Sequence, residues 1–237
     1  MALSGVAQSV ERYQLRSSGG EIQVSCPHLF ARLLSATLSG WEIERARIEK
    51  KPDVTITFSD GVFRVASERL GIVSRYSDLM DVLNVLFNIL AKIYWQRIST
   101  KTMIHCAAFV TDSGVSTLVL GSKKVGKSSL TWKNACYGGT VLADDILLWD
   151  QLTGEFECLG LPVRLRRPVR WHGNAGLVKK GVIAGKHLAY TRNSIIAIAP
   201  AGYVFIPEEI LLAKSVGVFK PIPFTKIKRM LLDSRIS

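Results

Sequence analysis

The stretch GSKKVGKSSL, residues 121–130, decides how the rest of the chain is interpreted. It contains the spacing GxxxxGK[ST], in which Gly121, Gly126, Lys127 and Ser128 take the four fixed positions. The glycines allow a tight turn whose backbone N–H groups point inward at phosphate oxygens, Lys127 reaches the terminal phosphates, and the Ser128 hydroxyl binds Mg²⁺. The stretch therefore predicts a phosphate-binding loop, provided that a strand precedes it and a helix follows it.

The sequence on both sides of the loop meets that condition. STLVL (116–120) is a short apolar run typical of a strand, and KSSLTWKNACYGG is typical of a helix that stops at Gly138–Gly139. TVLADD (140–145) then predicts a second strand that ends in two carboxylates. Alone, Asp144 and Asp145 would indicate a solvated turn; beside a phosphate loop they favour a proton acceptor and an organiser of Mg²⁺.

The remaining elements indicate a small α+β region ahead of the loop. Residues 1–20 are polar, and we expect them to be frayed. The patterns predict strands at 21–26 and 54–67 (with a turn at 59–61), helices at 28–38 and 78–98, and a strand at 103–111 followed by a turn at 112–114. We therefore predict a small α+β N-terminal region over 1–100 and a P-loop kinase-like domain over 101–237.

Composition narrows the class of protein. The apolar run at 80–95 is too short for a membrane span and carries Asp81, Asn84 and Lys92, and no secretory signal opens the chain, so a cytoplasmic protein without a membrane partner is expected. The four cysteines are too widely spaced to predict a zinc site or a disulfide framework. The formal charge of +12 is spread along the chain without a nucleic-acid motif, so nucleic acid is not the expected partner.

Two features have both a structural and a functional interpretation. His105 lies on an apolar strand, where a lone histidine is more often a satisfied core residue than a functional one. In PVRLRRPVRWHG (162–173), Arg164 and Arg166 would point to one face of a strand. That face would either grip phosphates or an acidic substrate, or be an exposed strand edge protected by charge.

These residues together resemble a known family. The pattern MIHCAAFV, LVLGSKKVGKSSL and GGTVLADDILLWD is similar to that of the HPr kinase/phosphorylase family and its related bacterial kinases. The resemblance implies an α/β fold: a P-loop kinase core with a mixed sheet similar to that of phosphoenolpyruvate carboxykinase, preceded by the small α+β region. It covers about 45 residues closely, as quoted, and residues 105–237 loosely.

The resemblance also implies roles for individual residues. ATP would be bound by the loop and the residue after it, namely Gly121, Ser122, Lys123, Lys124, Val125, Gly126, Lys127, Ser128 and Ser129. Lys127 would neutralise the triphosphate, Ser128 and Asp144 would hold Mg²⁺, and Asp145 would accept the proton of the hydroxyl that is phosphorylated. His105 would lie near the phosphates.

The chain also departs from the family pattern. Lys124 stands where the family usually has glycine, and the segment 164–176 has no acid to match a further metal ligand of the family. The resemblance implies an ATP-dependent kinase acting on a hydroxyl of a small protein, a precursor peptide or a small molecule. Because of these departures, HPr itself is not predicted as the substrate. A regulator that binds ATP without transferring phosphate is the alternative, a nucleic-acid-binding protein is a more distant one, and a homo-oligomer is expected.

Because all candidate catalytic residues lie between 105 and 145, we expect the first region to serve recognition of the acceptor. That region contains strands and helices of its own but no phosphate or metal motif.

Overall fold

The N-terminal region is a six-stranded sheet that packs one face against two helices. The computed structural model describes residues 9–46, 50–98, 100–167, 180–223 and 227–236. The elements of this region are β1 (Val10–Ser17), β2 (Gly20–Pro27), α1 (His28–Thr37), β3 (Glu42–Arg45), β4 (Val54–Ser59), β5 (Val62–Ser67), β6 (Ile72–Tyr76) and α2 (Leu79–Ile98). The strand order is β3-β1-β2-β4-β5-β6, in which β2 and β4 are parallel and the other neighbours are antiparallel.

Alternation of apolar and polar residues explains these strands. In β4, Val54, Ile56 and Phe58 are buried while the residues between them are half-buried, and Phe63 and Val65 repeat the pattern in β5. Because successive strand residues point to opposite faces, this spacing gives the sheet one apolar face. That face meets α1 and α2 to form the first hydrophobic core.

Helix α2 is apolar on more than one side because it contributes to two cores. Leu83, Leu86 and Leu90 pack into the core of the first sheet. Ala91 and Tyr94, farther along the helix, pack against residues that follow position 100. A helix that is apolar over most of its circumference is expected to be buried on more than one face.

The second region is built from short strands in three sheets. Its elements are β7 (Thr102–His105), β8 (Ala107–Val110), β9 (Ser116–Leu120), α3 (Lys127–Cys136), β10 (Thr140–Ala143), β11 (Ile146–Trp149), β12 (Phe156–Glu157), β13 (Arg164–Arg166), β14 (Val182–Ala184), β15 (Leu188–Thr191), β16 (Val204–Phe205), β17 (Glu209–Ser215), β18 (Val218–Pro221) and α4 (Ile227–Asp233). The strand orders are β10-β8-β9-β17-β18, β16-β12-β11-β7 and β13-β15-β14. The β9–β17 pair is parallel, and the other neighbours are antiparallel.

Two neighbouring strand segments cross from one sheet into another at the same point. The pairs Ala108–Ala143 and His105–Ile146 keep one register, although the first pair belongs to the five-stranded sheet and the second to the four-stranded sheet. The backbone N–H of Cys106 donates to the carbonyl of Asp145 at 3.2 Å, which continues the ladder through the bend. We call this bend, formed by residues 105–107 and 144–146, the sheet corner.

Residues near the end of the chain complete the strand that carries His105. The carbonyl of Ser234 accepts a hydrogen bond from the His105 N–H at 2.8 Å, and the Ile236 N–H donates to the Met103 carbonyl at 2.9 Å. The edge of β7 opposite β11 is therefore covered by the segment after α4.

The predicted α/β fold, a P-loop kinase core with a mixed sheet similar to that of phosphoenolpyruvate carboxykinase, is wrong. The structure is mostly β, with 41% strand, 23% helix, four sheets and four helices among the residues it describes. The physical reason is the pairing: most neighbouring strands are antiparallel, and antiparallel strands connect through tight turns instead of crossover helices. The strand–loop–helix unit around residue 121 lies within this β-rich architecture.

Several local predictions are confirmed. The strands and the turn within 54–67, helices α1, α2 and α3, and the strands on both sides of the loop occur where the patterns predicted them. The single strand predicted at 103–111 is divided into β7 and β8 by the sheet corner. The expectation of a frayed N-terminus is wrong for residues 10–17, which form β1 between β2 and β3.

No helix among the described residues is long and apolar enough to cross a membrane. The division of the chain at residue 100 into two domains stays a prediction.

A buried polar cluster joins the two regions. Glu157 of β12 accepts hydrogen bonds from the hydroxyl of Tyr94 on α2 and from Lys101 Nζ, the second at 2.5 Å, and Ser18 Oγ lies 2.8 Å from the Tyr94 hydroxyl. The Lys101 and Glu157 side chains are only 16% and 8% exposed. A carboxylate at this depth requires its partners, because an unpaired buried charge is strongly destabilising.

Replacing Lys101 with methionine should therefore destabilise the protein. Lys101→Met leaves the Glu157 carboxylate without its cation, and we expect the free energy of unfolding to fall by about 2 kcal/mol. Urea denaturation measures the change. The matched control is Lys51→Met, which removes an ion pair with Glu68 whose side chains are 75% and 77% exposed and should cost less than about 0.5 kcal/mol. Equal losses in the two variants would contradict the structural role of the cluster.

Candidate functional site

The loop between β9 and α3 has the backbone geometry that its glycines predict. Gly121 and Gly126 have φ of 144° and 102°, in a region that favours glycine. A Cβ on Gly121 would also lie 2.8 Å from the Cβ of Ala213 on β17. Gly126 precedes α3 without any side-chain cap, so the first turn of the helix offers its N–H groups and the positive end of its dipole to the loop.

Lys127 lies under this loop and is buried. Its Nζ donates to the carbonyls of Gly121 and Ser122 at 2.8 and 3.0 Å, so the side chain folds back along the loop. Burial lowers the pKa of Lys127 below its ordinary value, while the carboxylates of Asp145 and Asp144 act in the opposite direction. Lys127 thus places a cation beneath the loop, and the two acids favour its charged form.

The other predicted loop residues are divided between surface and interior. Ser122, Lys123 and Lys124 are exposed, Val125 is buried, and Ser129 is exposed in the first turn of α3. Lys124 has φ of 71°, a left-handed conformation that strains a side chain other than glycine. The loop thus retains a glycine-like backbone at the position where the resembling family has glycine.

Asp144 is a buried carboxyl at the end of β10, 5% exposed. Its Oδ2 accepts a hydrogen bond from the backbone N–H of Arg164 at 2.8 Å, whereas its Oδ1 is buried without a hydrogen-bond partner among the described residues. Burial raises the pKa of Asp144 to about 6. The nearby Ser128 hydroxyl favours the charged form, although it donates no hydrogen bond of ordinary geometry to Asp144.

Asp145 lies between two basic side chains. Its Oδ1 is 3.1 Å from His105 Nε2 and its Oδ2 is 3.3 Å from a guanidinium nitrogen of Arg164. Burial acts to raise the pKa of Asp145, but the hydrogen bond from His105 and the charges of Arg164 and Lys127 outweigh it, so the pKa lies below its usual value. Asp145 is therefore an ionised hydrogen-bond acceptor with a fixed orientation.

The expected Mg²⁺ can be tested against the chemistry of these side chains. Among the described residues, no group of three or more His, Cys, Asp or Glu side chains is arranged to hold a metal ion. Mg²⁺ beside a nucleotide needs fewer protein ligands, because it retains waters and takes oxygens from the phosphates. The orphaned Oδ1 of Asp144 and the neighbouring Ser128 hydroxyl fit such a site.

The structure thus brings Lys127, Ser128, Asp144, Asp145 and His105 together where the loop meets the sheet corner. The sequence had left two interpretations open for His105 and for the basic run. In the structure, His105 contacts a carboxylate instead of being enclosed by apolar groups.

Arg164, on β13, contacts both aspartates of the candidate site; the sequence left its role undecided. Besides its contacts with the two aspartates, it donates to Asn84 Oδ1 on α2 at 2.8 Å, while Arg166 is exposed. The rest of the basic run, 168–173, lies outside the described residues. Asn84 was missed as a candidate site residue; its signal was a polar pair with Asn88, one turn apart in a mostly apolar helix.

Comparison with known proteins does not extend the resemblance: no protein-family model and no curated protein matches this chain.

The strained loop position gives a stability prediction. Replacing Lys124 by glycine removes the left-handed strain, whereas replacing it by alanine retains the strain and removes the same charge. We expect the glycine variant to be about 1 kcal/mol more stable than the alanine variant. Urea denaturation of the pair measures the difference, and a glycine variant no more stable than the alanine variant would show that Lys124 is not strained.

Proposed function

We propose that this chain is an ATP-dependent kinase that transfers the γ-phosphate to a hydroxyl group, with site residues that resemble those of the HPr kinase/phosphorylase family. The observation that carries the proposal is the meeting of the glycine loop and Lys127 with Asp144, Asp145 and His105 at one sheet corner.

Each part of the arrangement has a function in phosphoryl transfer. Loop N–H groups, the start of α3 and Lys127 would bind the triphosphate. Mg²⁺ held by Ser128 and Asp144 would offset the negative charge of the phosphates. Asp145 would orient the acceptor hydroxyl, with its own orientation fixed by His105 and Arg164.

The reaction can be written with all its atoms. The acceptor oxygen forms a bond to the γ-phosphorus while the bond from that phosphorus to the β,γ-bridging oxygen breaks, and ADP leaves with the electron pair. The hydroxyl proton passes to Asp145. Because the transition state of phosphoryl transfer is loose, a proton acceptor of low basicity is sufficient. Orienting the hydroxyl contributes more to the rate than deprotonating it strongly.

The acceptor would be a hydroxyl of a small protein, a precursor peptide or a small molecule. The cytoplasmic location and the homo-oligomer expected from the sequence stay predictions.

Removing the Lys127 charge should weaken nucleotide binding. Lys127→Ala loses a charge-assisted contact, so MgATP affinity should fall by about 2 kcal/mol, or roughly 30-fold. Isothermal titration calorimetry measures this loss. Lys133→Ala is the control, because Lys133 is exposed on the same helix. This variant should bind MgATP like the unmodified protein. Unchanged affinity in a folded Lys127→Ala protein would exclude a phosphate site at the loop.

Removing the Asp145 charge should separate binding from transfer. Asp145→Asn should retain MgATP binding and reduce transfer by about 10²–10⁴-fold, the usual contribution of a positioned proton acceptor. Transfer is measured with radiolabelled ATP and a panel of peptides and hydroxyl metabolites. Hydrolysis of ATP without an acceptor is measured as slow release of phosphate. The control is Asp112→Asn, in the exposed turn between β8 and β9.

The same measurements distinguish the alternative function. A regulator that binds ATP without transferring phosphate would release phosphate no faster with Asp145 than with asparagine, and would transfer none to any acceptor.

A further inference from the structure

Arg164 connects the two aspartates with a helix of the N-terminal region. Its backbone N–H donates to Asp144 Oδ2 at 2.8 Å, and one terminal nitrogen of its guanidinium lies 3.3 Å from Asp145 Oδ2. The other terminal nitrogen donates to the side-chain oxygen of Asn84 on α2 at 2.8 Å. The guanidinium therefore bridges the candidate proton acceptor and α2.

The chemistry of the partners fixes the orientation of the Asn84 amide. A guanidinium has only donors, so the amide must turn its oxygen, and not its NH₂ group, towards Arg164. The same oxygen accepts a hydrogen bond from the Tyr190 hydroxyl at 3.2 Å. Tyr190 lies opposite Arg164 on the neighbouring strand β15, and its ring packs edge-on against Phe87 of α2 at a centroid distance of 5.0 Å. Asn84 thus accepts from two cross-strand neighbours that the sheet holds side by side.

The bond to Asn84 also decides which acid the guanidinium serves. Asp144 Oδ1 is buried without a hydrogen-bond partner among the described residues, and Arg164 is close enough for its charge to act on both carboxyl groups. An arginine side chain has many rotamers, so a contact with Asp145 alone would leave it free to turn to either acid. Asn84 directs it to Asp145 and leaves the Asp144 oxygen open to the proposed Mg²⁺.

We propose that Asn84 is a positioning residue, whose side-chain oxygen holds Arg164 on Asp145 and thereby fixes the acid that receives the hydroxyl proton. This inference rests on the proposed kinase function. The N-terminal region, expected from the sequence to serve recognition, would then also take part in phosphoryl transfer.

The guanidinium itself reports whether Asn84 holds it. In ¹H–¹⁵N nuclear magnetic resonance spectra, the two terminal nitrogens of a fixed guanidinium give separate signals, whereas rotation of a free guanidinium merges them. Arg164→Lys identifies the Arg164 signals by their loss. We expect separate signals in the unmodified protein and merged signals in Asn84→Ala. Merged signals in the unmodified protein, or separate signals in the folded alanine variant, would overturn the proposal.

Further variants make this test specific to the side-chain oxygen. Asn84→Asp retains an acceptor oxygen and should retain the separate signals. Asn84→Ser is too short to reach the guanidinium, so it should merge them, and it replaces Asn84→Ala if circular dichroism shows that the alanine variant is unfolded. The control is Asn88→Ala, which removes the same amide one turn along α2, where it donates to the backbone carbonyl of Asn84. Merged signals in this control would overturn the specific role of Asn84.

Hydrolysis of MgATP without an acceptor measures the effect on chemistry. At saturating MgATP, we expect Asn84→Ala to reduce phosphate release at least about tenfold, because a small misplacement of a reacting group is costly in rate. The Kd for MgATP, measured by calorimetry, should stay unchanged, because the loop and Lys127 are untouched. Asn84→Asp should recover most of the rate. A merely structural defect would instead weaken binding and hydrolysis together, and aspartate would not rescue it.

Failure of the kinase proposal gives a different result. If the unmodified protein neither binds nor hydrolyses MgATP, the kinase is rejected together with any effect of Asn84 on transfer, whereas the magnetic resonance spectra still decide whether Asn84 holds Arg164. If Asn84→Ala hydrolyses MgATP as fast as the unmodified protein although its Arg164 signals have merged, the kinase proposal stands and the positioning role of Asn84 is overturned.

Discussion

The site depends on one constraint, the continuous pairing of two strand segments that bend together from one sheet into another. At this corner the Cys106 N–H bonds to the Asp145 carbonyl, and Cys106 is completely buried. Residues 144 and 145 lie between β10 and β11 at this bend, and the Asp144 side chain is buried there. The charge of Asp145 is stabilised there because His105, Arg164 and Lys127 lie near it.

The same corner makes the N-terminal region part of the site. Arg164 contacts Asp145 on one side and Asn84 of α2 on the other, so the orientation of the candidate catalytic carboxylate depends on a helix from the first 100 residues. The Glu157 cluster fixes that helix farther along, at Tyr94. Recognition and chemistry would thus share a set of hydrogen bonds although their residues are far apart in sequence.

The candidate site could be predicted from the sequence better than the fold could. The spacing of Gly121, Gly126 and Lys127 and the acids after the next strand are local signals, and the structure brings these residues together. The prediction of the fold class was wrong for two reasons. Strands as short as β12 and β16 have too few residues to show a periodic pattern. The local sequence also does not determine whether neighbouring strands pair parallel or antiparallel. In β1, the buried Tyr13 and Leu15 alternate with polar residues, but the polar residues on both sides made the segment resemble a frayed terminus. Arg164 and Asn84 could not be paired in advance, because their contact depends on how α2 packs.

The pairing of residues 234–236 with the strand of His105 has a consequence for biosynthesis. The N-terminal sheet consists of neighbours close in sequence and is able to form early, while the chain is still being made. The backbone N–H of His105, in contrast, finds its partner only when Ser234 has left the ribosome, and β9 must wait for β17. Such distant pairings fold slowly. The loop and the acids would therefore assume their mutual positions only after β17 and the segment 234–236 have been made.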